Sequence, residues 1–62
     1  MDMNMIDFKA LVKRHGLNRL SPEYHLRAVV RGLVADFDDK TYRATTDADR
    51  ERLYCALRDA IG

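Results

Sequence analysis

Apolar positions along the chain fall into three stretches with helical spacing, separated by two polar connectors. In the first stretch, from Met5 to His15, Met5, Phe8, Leu11, Val12 and His15 share one side at about 100° per residue, with Lys9 and Lys13 flanking it. Gly16 follows where a left-handed C-terminal cap belongs. Ile6 falls off the stripe, which suggests a first turn that frays or packs separately.

The second stretch carries the clearest start signal. Ser21 suits an N-cap, Pro22 the first helical position, and Glu23 puts negative charge on the first turn. Leu26, Val29, Val30, Leu33, Val34 and Phe37 then make an apolar arc of roughly 140°, so a helix over residues 22–37 is expected to touch two neighbours and to be central. Ala28, Gly32 and Ala35 lie on its opposite side. A mid-helix Gly costs about 1 kcal/mol relative to Ala, so close approach of another helix at Gly32 is one reason for it, and a tolerated surface position the other.

From Asp38 to Thr46 the chain is polar and reads as loop, because the strand-favouring Thr41, Tyr42, Thr45 and Thr46 have no second strand to pair with. Thr46 is the expected N-cap of a third helix over residues 47–61, with Asp49 three residues on as in a capping box. Leu53, Tyr54, Ala56, Leu57, Ala60 and Ile61 form its apolar side, and Cys55 points away from it. The expected fold is all-α, a compact arrangement of three helices at about residues 5–15, 22–37 and 47–61 in one domain spanning residues 1–62.

Size limits what such a fold can hold. A chain of 62 residues buries about 60% of its unfolded surface, which leaves little interior for a walled pocket. Ordering costs about 1.5 kcal/mol per residue, roughly what burial returns, so a homodimer is expected to complete the core. Ala28, Gly32 and Ala35 are the candidate dimer face.

Charge and cysteine content narrow the setting. Eleven Lys and Arg against ten Asp and Glu give +1, unlike a dedicated nucleic-acid binder. The halves differ: six basic and three acidic residues precede Gly32, and five basic and seven acidic ones follow. One Cys forms no internal disulfide, where a small chain in an oxidising compartment usually needs two to four bridges, so a cytoplasmic location is expected. Met1 to Met5 alternates Met with Asp or Asn and does not read as a secretory signal, and no apolar run approaches the roughly 20 residues of a membrane span.

Three groups of residues bear on possible chemistry. Asp36, Asp38 and Asp47 stand at positions 1, 3 and 12 of a calcium loop with Asp39 between them, but Lys40 and Thr41 occupy positions 5 and 6, and Asp47 is short for a bidentate ligand. His15, His25 and Cys55 match no metal-ligand or thiol–imidazole spacing. No catalytic, metal-binding or cofactor-binding residue is therefore expected, and no cofactor. Lys9 with Lys13 and Arg27 with Arg31 are i, i+4 cation pairs that could meet phosphates, joined in the same half by Arg14 and Arg19. A helix-turn-helix is disfavoured by connectors read as about 5 and 9 residues and by Asp47, Asp49 and Glu51 at the head of the third helix.

The reading that remains is a non-enzymatic regulator, adaptor or inhibitor that binds and modulates a larger protein. Its expected contacts are Arg27, Arg31, Asp38, Asp39, Tyr42 and Arg43. The alternative is a small nucleic-acid-binding regulator that uses Lys9, Lys13, Arg14, Arg27 and Arg31.

Overall fold

In a computed structural model, residues 6–62 are described, with Thr41 described for its backbone alone. The readings that fell on Met1 to Met5, including Met5 on the first stripe, lie outside the described residues. Three helices make the fold: α1 over Phe8–Arg14, α2 over Glu23–Thr41 and α3 over Asp47–Ile61. The described residues contain no strand, and none of their helices is long and apolar enough to cross a membrane.

α1 is shorter than its stripe because Asp7, inside the stretch expected to be helical, caps its start. Its carboxylate accepts from the Ala10 N–H at 3.0 Å and satisfies one of the orphan donors of the first turn. The helix ends at Gly16 as expected, with φ at +64°. There the Gly16 N–H donates to the Lys13 carbonyl and the Leu17 N–H to the Val12 carbonyl at 2.9 Å, the paired bonds of a Schellman turn. That turn folds Leu17 inward, where it is buried in the core. Ile6, off the helical stripe, packs on the same core from outside α1.

α2 starts one residue later than expected. Pro22 is extended and serves as the N-cap residue, without a side-chain cap bond. Ser21 is drawn elsewhere, since its hydroxyl accepts from the Asn18 N–H at 2.9 Å within a turn that the Asn18 side chain closes on Leu20. At its other end α2 continues through Asp38 to Thr41, a segment expected to be loop. Lys40 bridges to Asp36 at 3.1 Å and sits in the last turn, where positive charge opposes the helix dipole. Asp38 turns its carboxylate to the Thr45 N–H at 2.8 Å and to the Thr45 hydroxyl, so the acidic run that argued for a loop is partnered from beyond the helix. The connectors are consequently residues 15–22 and 42–46. The second is shorter than the nine residues used against a helix-turn-helix, and the acidic head of α3 remains as the argument against one.

Centrality also falls differently. α1 and α2 each pack on α3 and barely touch each other. The most deeply buried side chains, Leu53 and Leu57 at 0% exposure, belong to α3, and Leu26, Val29, Val30 and Val34 of α2 and Leu17 close around them. The arc on α2 is spent on one neighbour and leaves Leu33 and Phe37 only half-buried. α3 begins at the expected Thr46 capping box: the Asp49 N–H donates to the Thr46 hydroxyl at 3.2 Å, and the Thr46 N–H returns to Asp49.

Two outcomes test this account. Leu57→Ala removes a wholly buried side chain at a cost of about 2–5 kcal/mol, comparable with the whole stability of a small domain. Its far-ultraviolet circular dichroism should show most of the helicity lost at 25 °C. At the capping box, hydrogen bonds from the Thr46 hydroxyl and backbone, helped by Arg52, hold the Asp49 carboxyl below its ordinary range. A depressed carboxyl stabilises the fold above its unfolded value of about 4 and loses that contribution as the pH falls through the folded value. Asp49→Asn should therefore melt lower than the native chain at neutral pH, with the gap closing below a pH of about 4.

Candidate functional site

An open-sided groove of about 580 Å³ lies between α2 and the start of α3. Val30, Val34 and Ala35 contribute its apolar surface, and Arg27, Arg31, Asp38 and Arg50 its polar lining. The α2 residues recur at spacings of three and four, so they share the side of the helix next to the buried arc. Arg50 comes from the first turns of α3, where it bridges Asp47 at 3.0 Å.

The four charged side chains are not equally free. Arg27 is a clamp between helices: its Nη1 donates to Glu51 of α3 at 2.8 Å and its Nη2 to Glu23 of α2 at 3.3 Å. Its Cζ stands 4.0 Å from the centroid of the Tyr54 ring, which Arg58 also approaches at 5.8 Å. The Glu51 bond first, with Glu23 behind it and some opposition from burial, pushes the Arg27 guanidinium above its ordinary value. Asp38 is committed to Thr45. Arg31 is exposed and makes no ion pair among the described residues.

Of the other expected contacts, Asp39 and Arg43 are exposed, and Tyr42 is 94% exposed just past the end of α2. The structure thus gathers Arg31, Asp39, Tyr42 and Arg43 on open surface and turns Arg27 and Asp38 toward internal partners. Ala28, Gly32 and Ala35 lie exposed along α2, and a Cβ placed on Gly32 would meet nothing within 4 Å. Among the described residues no helix therefore packs against Gly32. A second open groove, of about 400 Å³, runs along the other flank of α2 between Leu11 and Arg14 of α1 and Val29, Gly32 and Leu33 of α2.

Arg50, Glu51 and Tyr54 were not anticipated at this site. Their spacing on α3 announces one helical side, but which part of α2 lies across from it depends on the register of the two helices. Among the described residues no three His, Cys, Asp or Glu side chains are grouped to hold a metal ion. Asp36 and Asp38 lie inside α2, so the segment cannot wrap a cation as a calcium loop does. Cys55 is exposed. No family model, no curated protein and no solved structure matches the chain.

The clamp makes a prediction of its own. Arg27→Ala removes the bonds to both glutamates and the stack on Tyr54 at once, whereas Arg52→Ala removes one exposed bridge to Asp49. Thermal melts should fall clearly for Arg27→Ala and little for Arg52→Ala. Arg27→Lys should recover only part of the loss, since an ammonium cannot fork to two carboxylates while lying flat on a ring.

Proposed function

We propose that this chain is a non-enzymatic binding module that docks on a larger protein and modulates it, and that it acts as a homodimer in the cytoplasm. The observation that carries the reading is the open groove itself, where Arg50 and Arg31, the latter in no ion pair among the described residues, border the apolar strip of Val30, Val34 and Ala35. A cation next to an apolar strip in an open groove fits an amphipathic partner segment with an acidic side chain beside its apolar ones. Arg50 lines the groove from α3, and Asp39, Tyr42 and Arg43 extend the contact past the end of α2. Tyr42 supplies the kind of exposed aromatic that anchors protein contacts.

A second reading has one observation behind it. Lys9, Lys13 and Arg14 of α1 join Arg31 in making no ion pair among the described residues, so more positive charge is available than the sum of +1 suggests. Duplex binding through these side chains would weaken steeply with salt, by a logarithmic slope near the number of phosphates neutralised. Arg27, the fifth residue of that reading, is held by Glu23 and Glu51.

Affinity capture from the native cell, with the native chain and an Arg50→Glu variant of unchanged helicity, tests the proposal. One protein retained by the native chain and lost with Arg50→Glu is the expected result. Equal retention by both, or retention of nucleic acid alone with a steep salt slope, would overturn it.

A further inference from the structure

The solvent side of α2 has a pattern that matches itself when reversed. Counting from Ala35, Arg31 lies four residues before and Asp39 four after, while Ala28 lies seven before and Tyr42 seven after. All five are exposed; the four within α2 recur at the three-and-four spacing of one helical side, and Tyr42 caps its end. Arg31 and Asp39 make no ion pair among the described residues, whereas Arg27, Asp36 and Lys40 around them are all paired.

We propose that a second copy of this chain occupies this face, with the two α2 helices antiparallel about a two-fold axis at Ala35. That axis sets Arg31 of each copy opposite Asp39 of the other, and Tyr42 of each opposite the small Ala28 of the other. Ala35 meets its own symmetry mate, where a methyl group lets the helices approach closely. The contact spans about 21 Å along the helix at 1.5 Å per residue and is self-complementary, as a two-fold interface must be. Other centres lose the match. An axis at Gly32 sets Arg31 against Leu33, and one at Arg31 sets like charges together.

Tyr42 itself caps α2 in an unusual conformation. Its φ of 55° is the left-handed conformation that a helix C-terminus ordinarily gives to Gly, and a bulky residue there is strained. The chain keeps an aromatic at a strained position and exposes nearly all of it. The reversed pattern gives that ring a place to go, over Ala28 of the other copy.

The pairing deepens the partner-binding reading, and one consequence rests on that reading. A two-fold axis perpendicular to the plane of the paired helices returns both α2–α3 grooves to the same side. The second copy then takes Arg31, Ala35, Asp39 and Tyr42, and a dimeric partner would meet what stays open of both grooves, Val30, Val34 and Arg50, at once.

The test is mass by light scattering over a wide concentration range, with helicity followed in parallel. The native chain should reach twice 7.2 kDa. Arg31→Asp and Asp39→Arg should each give helical monomers, and the double exchange should restore the dimer. A native chain that stays monomeric, a dimer that tolerates both single reversals, or a double exchange that fails to restore it would overturn the proposal. Should a reversal cost the fold, oxidation decides instead. Ala35→Cys in a Cys55→Ser background should form a covalent dimer and Ala48→Cys should not, and failure of the first to cross-link overturns the register. Tyr42→Gly should raise the melting temperature of the dilute monomer while weakening the dimer about tenfold, and a dimer left unchanged would count against the ring's role. Arg50→Glu lies off the contact and should keep the dimer while losing partner capture, so failure of either idea leaves the other legible.

Discussion

Burial of Leu53 and Leu57 on α3 is the contact on which the rest of the molecule depends. In this chain one helix serves as the common support and the other two lean on it. Both grooves follow from that economy. Where α1 and α2 barely meet, a depression opens between them, and where the outer flank of α2 leaves α3, another opens beside Arg31. The grooves are thus by-products of a core too small to close over itself.

Such a support must also hold α2 at a fixed rotation, or the groove would have no constant shape. Apolar contacts alone leave a helix free to roll. The forked contacts of Arg27 do not, because a guanidinium that bonds to Glu51, bonds to Glu23 and lies over Tyr54 fits only one rotation of α2 against α3. Asp38 has the same effect at the far end by holding Thr45 back against the helix it has just left. Two of the residues expected to face a partner therefore set the orientation in which Arg31 and Tyr42 are displayed.

How much of this was legible in the chain follows from the range of the interaction involved. Helix number, the Gly16 stop and the Thr46–Asp49 box are local, and periodicity and cap chemistry reveal them. Other local features were open to reading but were misassigned. An N-cap serine competes with a turn serine, and Asn18 decided the contest for Ser21. A Schellman glycine implies an inward apolar residue just after it, which would have placed Leu17 in the core. The length of α2 was hidden for a different reason. Asp36 and Asp38 look unfavourable at a helix C-terminus until their partners, Lys40 and Thr45, are known, and Thr45 lies beyond the helix end. The place of α3 at the centre was the least visible, because a wide apolar arc states how much surface a helix can bury and not how many neighbours will share it.

Net charge is a poor guide to what such a surface attracts, and this chain shows why. Of the acidic side chains described, Glu23, Asp36, Asp47, Asp49 and Glu51 are held in ion pairs, and Asp7 and Asp38 accept backbone hydrogen bonds. The fold thus consumes negative charge faster than positive, and a sum near zero conceals exposed cations that have no internal partner. Asp39 is an exception among the acids, carried on the same open side of α2 as Arg31. A surface left with one free cation, one free anion, small residues between them and an exposed ring beyond is specific enough to choose a partner and short enough to require that the partner match it closely. A second copy would meet that requirement only about an axis that sets Arg31 opposite Asp39, because about other axes the same residues lose that match or bring like charges together.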